Sequence, residues 1–246
     1  MGVSVDMSAS HSVSASLPRL LRQRLSALML ATSLGLAAPV AMAQSLPPPD
    51  IGGRSWFLFD VSTNTVLYSQ APDERVEPAS LTKLMTAYVV FEALRDGTLN
   101  LDTRPPVSQA AYKAIGSRMF VDPRKPATVD ELLHGLIIQS GNDAAIILAE
   151  AVSGSEEAFA QQMNAEARRI GMKNSHFVNA SGLPAPEHHS TARDMALLAT
   201  RIIKEFPDYY RMYSEKEYTF NGVRQPNRNR LLYIDPSVDG MKTGHT

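Results

Sequence analysis

The sequence contains no cysteine, and its 24 basic and 25 acidic side chains leave a formal net charge of only −1. Without cysteine the chain cannot carry a lipid on a thiol, a disulfide framework or a thiolate-bound metal. The near-balance of charge gives no electrostatic reason to expect nucleic acid as a partner. The sequence also has no internal repeat, no low-complexity segment and no His-Glu-x-x-His pattern. We therefore expect a globular protein that uses neither a metal nor another cofactor.

The first 43 residues differ in composition from the rest of the chain. Arginines within residues 19–24 precede an apolar run at 25–38, and small residues follow at 41–43. This order is typical of a secretory signal peptide, and it predicts cleavage before Gln44. A transmembrane anchor is the alternative, but the apolar run is shorter than the roughly 20 residues that a span needs. We therefore predict an exported protein whose mature part is residues 44–246.

Patterns of apolar and turn residues indicate strands at both ends of residues 44–246 and helices between them. Residues 55–70 contain two β-prone runs around a Ser-Thr-Asn turn, which predicts a hairpin. Residues 80–95 are apolar nearly all round, so we expect a helix buried in the domain. Other helices are predicted at 128–139, 142–152, 155–170 and 191–206, and other strands at 217–223 and 238–246. This order predicts an α+β domain in which a sheet formed by the sequence ends packs against helices.

Ser80 and Lys83 form an S-x-x-K motif at the start of the predicted buried helix. A spacing of three residues puts both side chains on the same face of a helix. A serine hydroxyl becomes a good nucleophile when a base takes its proton, and a lysine can be that base if burial or a nearby cation lowers its pKa. The motif alone is weak evidence, because serine is a common N-cap and lysine is common on helices.

Two further motifs follow later in the chain. Ser140 and Asn142 lie at a break between predicted helices, where they can be plain cap residues, or a proton relay and an amide that holds substrate and lysine. Lys242, Thr243 and Gly244 end a strand-like segment and would bring a cation, a hydroxyl and close backbone approach to a substrate carboxylate. The order S-x-x-K, S-x-N, K-T-G is the set found in penicillin-recognising serine enzymes.

The chain resembles the low-molecular-mass penicillin-binding proteins that act as D-alanyl-D-alanine carboxypeptidases. The resemblance covers nearly all of residues 44–246 and includes EPASLTKLMTAYVVFEAL, GSRMF, QSGNDAAIILAE, GMKNSHFVNASGL, HHSTARDMALLA, NRNRLL and VDGMKTGHT. It implies the serine β-lactamase/D,D-peptidase (transpeptidase-like) fold, an antiparallel sheet packed with helices plus a helical subdomain. It also implies a periplasmic or cell-envelope enzyme of peptidoglycan maturation and cell-shape maintenance.

The resemblance implies a two-step acyl transfer without a metal. Ser80 would attack the penultimate D-Ala carbonyl of a stem peptide ending in D-Ala-D-Ala, the terminal D-Ala would leave, and water would hydrolyse the acyl-enzyme. Lys83 would be the general base, Ser140 the proton shuttle, and Asn142 would orient substrate and lysine. β-Lactams should acylate the same serine.

The resemblance also assigns the last motif to substrate binding. Lys242 and Thr243 would bind the terminal carboxylate, and Gly244 would give the substrate room. The backbone N–H groups of Ser80 and His245 would form the oxyanion hole, in which one donor is typically worth about 2.7–4 kcal/mol in the transition state.

The family continues beyond K-T-G with further strands, a closing helix, a second β-rich domain and often an amphipathic membrane helix. We therefore expect a C-terminally truncated chain whose catalytic domain, residues 44–246, lacks its final strands and helix. On this interpretation the chain folds poorly and turns over little substrate. Peripheral association with the inner membrane would require a C-terminal segment that the sequence does not contain.

Three alternatives remain open from the sequence. A class A β-lactamase shares S-x-x-K and K-T-G, but it normally has Ser-Asp-Asn, and no Glu-Pro-x-Leu-Asn pattern surrounds Glu187. A D,D-endopeptidase of the same family would cut cross-links between stem peptides. A muropeptide-binding or β-lactam-binding module would use the same residues without turnover.

Overall fold

A computed structural model describes residues 47–48 and 50–245 of the protein. The predicted signal peptide, residues 1–43, therefore lies outside the described residues. Within the part of the chain that the structure describes, no helix is long and apolar enough to cross a membrane.

The predicted hairpin near the start of the domain is confirmed. Strand β1 (Trp56–Asp60) pairs with strand β2 (Thr65–Gln70) in antiparallel fashion, and the pairing is irregular between Leu58 and Phe59. The Asp60 carboxylate accepts hydrogen bonds from the backbone N–H and the hydroxyl of Ser62, at 2.8 and 2.6 Å, and so fixes the turn.

Helices occupy the middle of the chain, as predicted. In chain order they are α1 (Thr82–Arg95), α2 (Gln109–Tyr112), α3 (Val129–His134), α4 (Asn142–Ser153), α5 (Glu156–Ile170), α6 (Ala192–Glu205), α7 (Pro207–Tyr210) and α8 (Leu231–Ile234). Polar caps begin three of the longer ones: Ser155 accepts from Ala158 N–H, Thr191 from Asp194 N–H, and Thr128 forms a capping box with Glu131.

Helix α1 is the centre of the core. Every residue from Thr82 to Ala93 is buried, and the helix packs against α4, α5 and α6. The prediction placed the start of this helix at Ser80. The structure instead has a 3₁₀ turn at Ala79–Leu81, because the Leu81 N–H bonds to Pro78 O, three residues back, at 3.0 Å.

The end of the second predicted helix also differs from the prediction. After α3 the chain continues as a π-helical turn, Gly135–Gln139, and Ser140 then adopts a left-handed conformation with φ 66°. A Cβ added at Gly135 would collide with Met119 Sδ, so this wide turn lies directly against that side chain. Widened turns of this kind are common next to functional sites.

The last part of the chain contains a short hairpin and an irregular segment. Strand β3 (Glu217–Phe220) pairs with β4 (Val223–Pro226), so the strand predicted at 217–223 is confirmed for residues 217–220. Asn221 and Gly222 form the hairpin turn instead, with φ 47° and 78°. The strand predicted at 238–246 is wrong for the described residues 238–245, which have no strand. A strand needs a backbone ladder, and β1 and β2 pair only with each other. The single sheet predicted from both sequence ends is therefore replaced by two small hairpins beside the helices.

Candidate active site

The predicted nucleophile and base lie next to each other at the start of α1. Ser80 is half-buried in the 3₁₀ turn, and Lys83 is 1% exposed one turn further on. Lys83 Nζ lies 3.2 Å from Ser80 Oγ. Ala79, immediately before the serine, has φ 46°, which is uncommon for a residue with a Cβ. The S-x-x-K spacing therefore produces the contact that the sequence predicted.

Two further oxygen atoms hold the Lys83 amine. Nζ lies 2.7 Å from Asn142 Oδ1 and 2.5 Å from the backbone carbonyl oxygen of Ser181. Burial lowers the pKa of Lys83 to about 7, and the positive charges of Lys242 and Arg228 act in the same direction. A neutral amine, with two N–H groups and one lone pair, can donate to both carbonyl oxygens and accept from the Ser80 hydroxyl.

Asn142, also predicted, is held on its other side by the backbone. Its Nδ2 donates to Ile115 O at 2.7 Å, and its own N–H donates to Ser117 O at 2.7 Å. Gly116 has φ 79°, and a Cβ there would lie 2.9 Å from Asn142 Nδ2. The segment around Gly116 therefore sets which way the Asn142 amide faces, with the oxygen toward Lys83.

Ser140 is a predicted residue whose buried hydroxyl is not used in a hydrogen bond. Its Oγ is buried and has no hydrogen-bond partner among the described residues, and the residue lines the same cleft as Ser80. Buried hydroxyl groups normally have partners. An unpartnered hydroxyl at this place can take part in proton transfer.

Asp143 is a component that the sequence reasoning missed. The buried carboxylate accepts hydrogen bonds from the backbone N–H groups of Met119, Phe120 and Val121, at 2.9, 2.8 and 3.2 Å. It thereby ties the 116–121 segment to the start of α4, beside Asn142. The residue after S-x-N could have been noticed, because an acidic group at a helix start often binds backbone amides.

The turn at residues 179–182 was also missed. The Asn179 side-chain oxygen accepts from the N–H groups of Gly182 and Ser181 at 2.7 and 3.2 Å. Gly182 has φ 83°, and a Cβ there would collide with the carbonyl oxygen of Ala79. The turn therefore lies directly on the nucleophile turn and presents the Ser181 carbonyl to Lys83. The Asn-Ala-Ser-Gly sequence indicates a turn, but a backbone acceptor has no signature in side chains.

Arg228 is another residue for which the sequence predicted no role. Its Nε donates to Gln139 O at 2.9 Å, and its Nη2 donates to Ser117 Oγ at 2.8 Å. None of its hydrogen bonds within residues 50–245 is to a carboxylate, and it lines the cleft. Arg228 therefore places a positive charge, uncompensated by an ion pair, at the cleft wall.

The K-T-G segment closes one side of the cleft. Thr243, Gly244 and His245 are exposed and line it together with Ser80. A Cβ at Gly244 would lie 3.2 Å from Pro78 O and 3.4 Å from Ala79 Cβ, so this glycine packs closely against the nucleophile turn. The room that it would give the substrate stays a prediction.

Lys242 differs from its neighbours in the segment. It is half-buried, it is not among the described residues that line the cleft, and its Nζ donates to Thr243 O at 2.8 Å. Burial and, secondarily, the charge of Arg228 lower the pKa of Lys242 to about 7. Its contact with a substrate carboxylate therefore stays a prediction.

The cleft has a volume of about 910 Å³. Arg228 and Arg230 contribute to its lining, and no aspartate or glutamate among the described residues does. Glu187, which a β-lactamase interpretation would need near the serine, is exposed and does not line the cleft. A lining with arginines and without carboxylates suits a substrate that carries a carboxylate.

Comparisons with known proteins agree with this geometry. A family model described as D-alanyl-D-alanine carboxypeptidase matches residues 41–246. The chain is 46% identical over 223 residues to D-alanyl-D-alanine carboxypeptidase DacC of Escherichia coli, an alignment that covers 87% of this chain and 56% of DacC. The chain spans about half the length of the curated relatives it matches first.

Solved structures show the same similarity. Penicillin-binding protein 5 from Haemophilus influenzae superposes with a TM-score of 0.79 at 41% identity, covering 82% of this chain and 60% of that one. Penicillin-binding protein D2 from Listeria monocytogenes, solved in an ampicillin-bound form, has a TM-score of 0.72 at 29% identity and 82% coverage of each chain. These neighbours carry the β-lactamase/D,D-peptidase fold that the sequence predicted.

Proposed function

The chain belongs to the D-alanyl-D-alanine carboxypeptidase family, and on that premise we propose that it is a serine D,D-carboxypeptidase. In this proposal it removes the terminal D-alanine from peptidoglycan stem peptides that end in D-Ala-D-Ala. Ser80 is the residue that becomes acylated, and β-lactams acylate it as well. The ampicillin-bound neighbour supports the last point.

The arrangement around Lys83 Nζ carries this proposal. The amine has a hydroxyl at 3.2 Å and two carbonyl-type oxygens at 2.7 and 2.5 Å. No carboxylate is among its hydrogen-bond partners in residues 50–245, so nothing of opposite charge in direct contact holds it protonated. With a pKa of about 7, a large fraction of the amine is neutral at neutral pH and able to take the Ser80 proton.

The reaction follows from these contacts. Lys83 Nζ takes the Ser80 proton as Oγ bonds to the penultimate D-Ala carbonyl carbon, and the carbonyl oxygen becomes an oxyanion. Collapse of this intermediate breaks the peptide bond, and the terminal D-Ala leaves as an amine after it receives a proton through Ser140 Oγ. Water then attacks the ester, which gives the shortened peptide and restores Ser80.

Substrate orientation is assigned to the other residues of the cleft. Asn142 holds Lys83 through its oxygen, and Thr243, Lys242 and Arg228 attract the terminal carboxylate. The N–H groups of Ser80 and His245 stabilise the oxyanion.

The first test is acylation of the purified chain by a fluorescent penicillin, beside Ser80→Ala. We expect a covalent adduct on Ser80, seen by denaturing gel and peptide mass spectrometry, and slow release of D-alanine from a peptide ending in D-Ala-D-Ala. Ser80→Ala should give neither, whereas Ser69→Ala, on the exposed strand β2, should behave as the parent. Labelling of Ser80→Ala at the parental level would remove Ser80 from the nucleophile role.

The same preparation separates the alternatives. A stable penicillin adduct without D-alanine release indicates a binding module, and cleavage of cross-linked dimeric peptides indicates an endopeptidase.

We also propose export to the cell envelope, on the basis of the N-terminal sequence pattern. Protein recovered from a periplasmic fraction should then begin at Gln44, and an intact N-terminus there would contradict the predicted cleavage.

A further inference from the structure

His188 is a buried histidine that the proposed reaction does not use. It is 4% exposed and lies in the segment that follows the 179–182 turn. Its ring is held at both nitrogens: Nε2 lies 2.8 Å from Thr82 Oγ1, and Nδ1 accepts from the backbone N–H of Val178 at 3.1 Å. Thr82 is the residue immediately before Lys83, so this contact reaches the nucleophile helix.

The two contacts determine the protonation state of the ring. A backbone N–H can only donate, so Nδ1 must carry the lone pair and Nε2 the proton. His188 is therefore a neutral donor to the Thr82 hydroxyl. Burial lowers the pKa of His188 to about 4, with smaller contributions from His176 and His189, so this tautomer persists at neutral pH.

Three side-chain contacts join helix α1 to the segment 180–188. Thr82 bonds to His188, Lys83 donates to Ser181 O at 2.5 Å, and Thr86 donates to Ala180 O at 2.7 Å. The lysine contact lies between the two hydroxyl contacts, on adjacent turns of one helix face. The hydroxyl contacts therefore fix the separation between α1 and the segment, and with it the distance from the Ser181 carbonyl to Nζ.

We propose that His188 is a positioning residue of the acylation step, which acts by donating to Thr82 and so holding the Ser181 carbonyl against Lys83. This inference rests on the proposed function, since it concerns the same lysine. Loss of the bond would let the segment withdraw from α1. Withdrawal of the carbonyl should misplace the amine relative to Ser80 and so slow acylation. It should also change the pKa of Lys83, because the lost hydrogen bond and the altered burial of the amine both act on that pKa.

The test uses variants that break the bond from either side. Thr82→Val keeps the shape of the side chain and removes the acceptor. His188→Asn can keep an acceptor near the Val178 N–H but is too short to reach Thr82. We expect each to acylate with penicillin about tenfold more slowly, as the loss of one hydrogen bond in a buried site would give. The double variant should be no slower than either single one.

Conservative and neighbouring substitutions are the controls. His188→Gln places an N–H where Nε2 lies and should restore acylation to within about twofold of the parent. His189→Asn should have no effect, because His189 pairs through its backbone with His176 and makes no hydrogen bond to α1. The acid limb of the acylation pH profile should move in Thr82→Val and His188→Asn only.

A measurement without turnover distinguishes this inference from the proposed function. The Lys83 pKa can be followed by NMR of protein labelled with ¹³C at lysine Cε, in the parent and in Thr82→Val, which should fold because it is isosteric. A changed Lys83 pKa in the variant supports positioning by His188, even if the parent releases no D-alanine. An unchanged Lys83 pKa, additive losses in the double variant, or His188→Asn at parental rate would overturn it.

Discussion

The two walls of the cleft are held in different ways. On one wall, Lys83 and Asn142 are buried and each contacts at least two partners through its polar side-chain atoms. On the other wall, Thr243 and His245 are exposed and belong to an irregular segment. That segment is held by the close approach of Gly244 to Pro78 and by hydrogen bonds from Asn229 to Gly240 O and from Tyr210 to the Asp239 carboxylate, each at 2.8 Å.

This difference separates two parts of the chemistry. The groups that activate the serine lie on helices and turns within residues 79–182, and no β-sheet positions them. The groups assigned to the substrate carboxylate depend on a segment without a strand ladder. Changes at the first wall should therefore alter kcat and acylation rates, and changes at the second should alter KM.

Lys83→Arg should lower activity the most, because it removes the proposed base from the first wall. Arginine keeps the positive charge but does not release a proton near neutral pH, so it cannot act as the base. We expect acylation by penicillin to fall about 10³-fold, within the range for the loss of a general base. Stopped-flow or quenched labelling measures this rate directly.

The control for that variant is Lys204→Arg, an exposed lysine at the last turn of α6. It should acylate at the parental rate. If Lys83→Arg retained even a tenth of the parental rate, another group would have to be the base.

Gly182→Ala should give the next largest effect, because the added Cβ displaces the turn that presents the Ser181 carbonyl and would also lie 2.8 Å from Thr82 Oγ1. A Cβ at this position would collide with Ala79 O, which forces the Ser181 carbonyl away from Lys83. We expect acylation to fall roughly 100-fold, the size of effect that a misplacement of about 1 Å can produce. Thermal unfolding should also shift to lower temperature, since alanine is strained at φ 83°.

Gly222→Ala separates the strain from the displacement. Gly222 has φ 78° in the β3–β4 turn, and nothing lies within 4 Å of a Cβ there. It should lose only the stability that the backbone strain costs, less than Gly182→Ala loses, and it should keep its acylation rate. Equal rates for the two alanine variants would mean that the 179–182 turn does not position Lys83.

Much of the first wall could be predicted from the sequence, because its groups are side chains at short, fixed spacings. Ser80 and Lys83 meet through helical geometry alone. Asn142 required the order of the three motifs, since no periodicity relates residue 142 to residue 83. The Ser181 carbonyl and the amides bound by Asp143 could not be predicted, because main-chain groups are the same at every position.

The error at residues 238–245 has a different cause. Val238 and Thr243 are β-prone, but Asp239 and two glycines of the segment are not, and a strand also requires a partner with free N–H and C=O groups. In the described residues, the backbone of this segment bonds locally instead, with Val238 N–H to Asp235 O at 3.2 Å. The composition of a segment predicts only its tendency to form a strand. Whether the strand forms depends on a partner strand with which it can pair.

Arg228→Gln should have the smallest effect on the acylation rate. It tests both walls at once, because the charge of Arg228 acts on a lysine of each wall. Its charge lowers the pKa of Lys83 and of Lys242, although burial is the larger cause for each. Lys83 must be neutral to act as a base, so activity rises with pH through its pKa. Lys242 must be protonated to attract a carboxylate, so activity falls as the pH rises through the pKa of Lys242.

Removal of the Arg228 charge raises both pKa values, so both limbs of the pH profile of kcat/KM should move to higher pH. We expect a shift of roughly half a unit, since solvent partly screens one charge at an open cleft. Arg224→Gln, an exposed arginine paired with Glu217 on the hairpin, should leave both limbs in place. A shift of the acid limb alone would show that Lys242 does not set the basic limb. Two unmoved limbs would show that the charge of Arg228 reaches neither lysine.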